Sequence, residues 1–150
     1  MMAMSATTRG RFLAFLLAVF PAAGGSAVAQ EATPTPSLKL ELNGLEPSAA
    51  GCRFTFVVQN GLGAPLQKAA FELVLFDQAG KVNRLTVLDF KDLPAGKTKV
   101  RQFDLPQTDC AGIGRVLVND AVACEGEGIE PTACVRYLDA QAKSSVAFGS

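Results

Sequence analysis

Leu38-Lys39-Leu40-Glu41-Leu42-Asn43, followed by Cys52-Arg53-Phe54-Thr55-Phe56-Val57-Val58-Gln59, sets apolar side chains at every second position. Because successive side chains of an extended chain point to opposite faces, this pattern puts three leucines on one side of a first strand and Phe54, Phe56 and Val58 on one side of a second. Glu46-Pro47 through Gly51 makes the turn between them. Asn60-Gly61-Leu62-Gly63-Ala64-Pro65 then breaks the chain with residues that tolerate or fix unusual backbone angles.

Working outward, Ala69 to Phe76 is apolar except for Glu72, the composition of a central strand covered on both sides. Asp77-Gln78-Ala79-Gly80 reads as a hairpin loop and Val82 to Leu88 as its antiparallel return. After the turn Leu93-Pro94-Ala95-Gly96, strands are expected over Thr98 to Leu105, which Pro106 stops, and over Ile113 to Val122. Gly126 to Pro131 reads as a loop, and Ser144 to Phe148 as a short closing strand. About seven short strands, frequent Gly/Pro turns and no strong amphipathic helix predict an all-β fold, an immunoglobulin-like antiparallel β-sandwich, with an eight-stranded barrel as the alternative. The chain has no Trp, and its only Tyr is Tyr137, so an antibody-type domain is not expected.

The start of the chain reads differently. Arg9 and Arg11 precede an apolar run of nine residues, Phe12 to Phe20, which Pro21 ends, and Ala27-Val28-Ala29 offers small residues to a signal peptidase. The run is less than half of the about 20 apolar residues that span a bilayer, so residues 1–29 are expected to be a cleaved signal peptide and no membrane span to remain. Residues 30–37, with Thr33-Pro34-Thr35-Pro36, form a flexible leader, and residues 38–150 the sandwich domain. Arg9-Gly10-Arg11 lacks an adjacent arginine pair, which favours the general secretory route and leaves the Tat route open. Removing the signal lowers Lys+Arg from 14 to 12 against 14 Asp+Glu, a formal charge of −2, and the 49% hydrophobic fraction is inflated by the same segment. That balance argues against nucleic acid as a partner.

Cys52, Cys110, Cys124 and Cys134 are separated by 57, 13 and 9 residues, and the chain has no His. Without a CxxC knuckle or a histidine, two disulfides in an oxidising compartment are the expected reading rather than zinc. In the immunoglobulin topology the second and sixth strands run the same way, which favours Cys52 with Cys110 and Cys124 with Cys134.

Catalytic chemistry finds little footing. Lys143 with Ser144 or Ser145 falls in a tail, and Gly61-Leu62-Gly63 and Gly112-Ile113-Gly114 stand outside any βαβ unit. Glu125, Glu127 and Glu130 lack EF-hand spacing, and Glu72 and Asp120 would serve an enzyme only if buried together. No cofactor or metal is expected. The partner surface suggested by the sequence is a basic ridge of Lys91, Lys97, Lys99 and Arg101 flanked by Phe90 and Phe103, against the plainer readings of a charged edge strand and ordinary core packing.

LELNGLEP, GCRFTFVVQN, FELVLFDQAGKVNRL, LPAGKTKVRQFDL and CAGIGRVLVND, within residues 38–122, resemble small exported bacterial proteins labelled Tat pathway signal sequence domain proteins. The resemblance implies a β-sandwich of the cell envelope and brings no active site with it. The expected function is therefore a non-enzymatic envelope interaction or accessory module whose partner is another envelope protein. The alternative is a small-ligand or glycan binder using the loops at one end of the sandwich.

Overall fold

Leu38, Leu40 and Leu42 are fully buried, as their alternation predicts, on strand β1 (Ser37–Pro47). The computed structural model describes residues 34–150, so the expected signal peptide lies outside the described residues. From β1 the chain runs through β2 (Gly51–Gly61), β3 (Leu66–Asp77), β4 (Val82–Leu93), β5 (Thr98–Pro106), β6 (Ile113–Glu125), the single helical turn α1 (Ala133–Arg136), β7 (Leu138–Ala142) and β8 (Ala147–Gly149). Two four-stranded sheets result, β5-β2-β1-β7 and β4-β3-β6-β8. They face each other across one hydrophobic core, which makes the fold an all-β sandwich.

Two strands differ from the sequence reading. β7 replaces what reads as tail, and β7 and β8 add in parallel, to β1 and β6 respectively, while the other pairings are antiparallel. The strand count among the described residues is accordingly eight. β1 also carries an irregularity between Leu42 and Gly44, where Asn43 is the extra residue. This shift changes the phase of alternation and lets Leu45 pack against the same core as Leu42.

Aromatic packing fills the middle. Phe56 lies 5.4 Å from Phe90, 6.1 Å from Phe103 and 5.8 Å from Phe148, joining both sheets through tilted and edge-on contacts. Asn60 is the one polar residue buried among the described residues. Its Nδ2 donates to the carbonyls of Ala64 (2.9 Å) and Leu93 (2.8 Å), and its Oδ1 accepts from the Leu62 amide (3.0 Å), so the side chain is satisfied. One asparagine thus folds the 61–65 loop and ties it to the end of β4.

The cysteines pair as the strand order favours. Cys52–Cys110 brings Cα atoms to 5.2 Å and Cys124–Cys134 to 5.8 Å. The first joins the start of β2 to the turn before β6; the second ties the end of β6 to α1. Gly51 precedes Cys52 because a Cβ there would run into the Leu105 carbonyl oxygen of the adjacent strand.

Candidate functional site

β5 decides the fate of the expected basic ridge. Lys99, Arg101, Phe103 and Leu105 share one phase of the strand, and Phe103 and Leu105 pack on the core. Lys99 and Arg101 therefore emerge at the side of the sandwich where the edge strands β4 and β5 approach each other. There the Arg101 Nε donates to the Phe90 carbonyl (2.8 Å) and its Nη2 to the Asp92 carbonyl (3.1 Å). The Lys99 Nζ reaches the Asp92 carboxylate at 2.7 Å and the Asp92 carbonyl at 3.1 Å. Lys91, whose φ of 62° marks a kink in β4, turns its Nζ back to Asp89 at 2.7 Å. Hydrogen bonds from Lys99 and Lys91 hold the Asp92 and Asp89 carboxyls below the usual carboxylate range.

The ridge is thus a lacing between the two sheets, with most of its charge matched by β4. Lys97 stays exposed in the turn, where its carbonyl accepts from the Asn60 amide (3.3 Å). Phe90 is fully buried, its ring centroid 5.0 Å from that of the half-buried Phe103. The expectation that these rings flank a partner surface is corrected: their strand phase turns them into the core.

Other candidates are dispersed. Glu72 and Asp120 are cross-strand neighbours, but on an open face, where the Glu72 Oε1 accepts from the Asn119 Nδ2 (2.6 Å). Among the described residues no three Cys, Asp or Glu side chains converge on a common point, and Glu125, Glu127 and Glu130 are spread along the loop. Lys143 and Ser144 give their amides to the Leu42 carbonyl and fasten the tail to β1. Hollows at the two ends measure about 230 Å³, around Phe76 and Thr108, and about 190 Å³, around Leu62 and Tyr137. Both fall below the ~300 Å³ at which small-molecule pockets begin, whereas a wider, open hollow of about 490 Å³ lies between Asp120 and Ala121 of β6 and Pro131, Thr132, Val135 and Arg136.

The two outward sheet faces differ sharply. That of β5-β2-β1-β7 is mostly polar around the single apolar pair Val57–Val100: Arg53 grips Asp104 through Nε and Nη2, both at 3.0 Å, and Gln102 donates to the Thr55 hydroxyl (3.1 Å). Arg53 also holds the Asp104 carboxyl below its ordinary range. The outward face of β4-β3-β6-β8 carries instead a transverse row, Leu85–Val74–Leu117, in mutual register. On either side lie Val82–Phe76–Arg115 and Val87–Glu72–Asp120. Leu85 is 55% exposed, Val82 56% and Val87 53%, yet Val74 in their midst is only 6% exposed, sealed by its neighbours. The Arg115 guanidinium rides over the Phe76 ring at 5.5 Å.

The chain matches no family model, no curated protein and no solved structure. The apolar row on the second sheet is what the sequence analysis missed. Its signal was present in the run Ala69 to Phe76: a strand apolar on both faces but for Glu72 calls for cover on both, and among the described residues no layer lies over the outer one. The two disulfides fit maturation in an oxidising compartment, and no helix among the described residues is long and apolar enough to cross a membrane.

Proposed function

We propose that the chain is an exported, non-enzymatic docking module of the bacterial envelope, periplasmic or secreted, that engages a protein partner through the outer face of β4-β3-β6-β8. The observation that carries this reading is the flat row Leu85–Val74–Leu117, with Val82 and Val87 beside it, left open on a sheet whose opposite face already forms the core. Contiguous exposed apolar surface of this kind marks interaction sites more often than it is tolerated idly. A shallow patch also suits a protein surface better than a small ligand, which needs a concave pocket. The arrangement of β5-β2-β1 opposite β4-β3-β6 supports an immunoglobulin-like classification, a scaffold that serves recognition in many exported domains. The signal at residues 1–29 supports export by either the general secretory or the Tat route.

Affinity recovery from envelope extracts tests the reading. The wild-type protein is expected to retain a defined protein partner, and Leu85→Lys, which places a charge on an exposed position without touching the core, is expected to lose it. Equal recovery by both proteins would overturn the assignment of the face.

A further inference from the structure

We propose that the occupant of this face is a second copy of the same chain, packed sheet to sheet about a two-fold axis that runs along the row Leu85–Val74–Leu117. This inference rests on the docking reading above and adds the identity of the partner.

The argument is one of charge and symmetry. A two-fold interface is self-complementary, so each residue off the axis meets a different residue of the other copy. With the axis along the central row, the strand direction reverses and the rows on either side exchange. Val82 then faces Val87 of the second copy, Phe76 faces Glu72, and Arg115 faces Asp120, with Glu72 on the strand beside Asp120. Leu85, Val74 and Leu117 lie on the axis and stack against themselves. Sheets packed face to face stand about 10 Å apart, a gap that an arginine side chain and a carboxylate bridge together.

The alternative axis, along the strands, keeps the rows in place. It would set Glu72 against Glu72 and leave Arg115 opposite Val82, burying like charges together and an arginine without a partner. The single basic and two acidic groups of these three rows thus favour the transverse axis over the one along the strands. The other sheet carries a smaller apolar surface, the pair Val57–Val100, beside the ion pair Arg53–Asp104 that is already satisfied within one chain.

Sedimentation equilibrium on the purified, oxidised protein tests the proposal, with thermal melts confirming that each variant is folded. The wild type is expected to be a dimer at micromolar concentration, and Leu85→Lys to raise the dissociation constant about ten-fold or more. Arg115→Glu and Asp120→Lys should each weaken the dimer by setting like charges opposite each other, whereas the double variant, with the charges exchanged, should regain most of the wild-type affinity. That recovery is not expected from mere loss of fold.

A dimer indifferent to Leu85→Lys, or a double variant no better than the singles, would overturn this geometry. So would a wild type that stays monomeric up to about 100 μM, too weak for a specific pair. In that last case the recovery experiment separates the two ideas: capture of another protein that is lost in Leu85→Lys leaves the docking face standing with a different partner, and capture of nothing sinks both.

Discussion

Replacing Asn60 by alanine removes three hydrogen bonds at once and leaves the Ala64 and Leu93 carbonyls without their buried donor. At about 1 kcal/mol each, the loss in unfolding free energy should be about 3 kcal/mol, read from urea titration. A cost below about 0.5 kcal/mol would mean that water replaces the amide. The sequence shows Asn60 only as the first residue of a loop; its burial depends on Leu93, which lies far along the chain and arrives through the fold. Lys99 and Arg101 teach the converse. They share a strand phase with Phe103 and Leu105, and that phase, legible in the sequence, already signals side chains that pass the core on the way to solvent rather than a free basic surface.

At the scale of elements, the disulfides should contribute unequally. Closing a separation of 58 residues limits the unfolded chain more than closing one of 10, so by loop entropy Cys52–Cys110 stabilises by up to about 4 kcal/mol and Cys124–Cys134 by up to about 3 kcal/mol. Double alanine variants of each pair, compared by denaturant unfolding, should rank in that order. The reverse order would place more residual structure around the longer loop in the unfolded state. β1, β2, β3 and β6 were legible because each buries a row of apolar side chains, whereas β4, which buries Leu88, Phe90 and Leu93, and β5, which buries Leu105, were legible mainly from the turn residues that bound them. β7 was not. Leu138-Asp139-Ala140-Gln141-Ala142 offers mainly small apolar residues, none of them fully buried, and its register comes from parallel pairing with β1 across the length of the domain. The lone turn of α1 follows Thr132 without a side-chain cap and is held by Cys134, which no helical periodicity announces.

For the whole molecule, charge titration should matter only in acid. The chain has no His, and the resolved shifts among its acids are downward, at Asp89, Asp92 and Asp104, each led by a hydrogen bond from Lys91, Lys99 or Arg53. A carboxyl whose folded pKa is depressed adds stability above the ordinary Asp value of about 3.9 and loses it as the pH falls through the folded value. Melting temperatures should therefore be level between about pH 5 and pH 8 and decline below about pH 4, with Asp92→Asn flattening part of that decline. A midpoint of stability loss near pH 6 would contradict this arrangement.

The sandwich and its sulfur pairing were readable before any coordinates because they follow from alternation and strand order. The docking face was not, because exposure is a property of the assembled sheet: Leu85, Val74 and Leu117 come from three strands and meet only through register. The most direct measurement is photo-crosslinking inside cells from a reactive residue placed at position 85, with position 102 on the polar sheet as control. A discrete protein adduct from position 85 and none from position 102 is the predicted result; adducts from both, or from position 102 alone, would contradict the account.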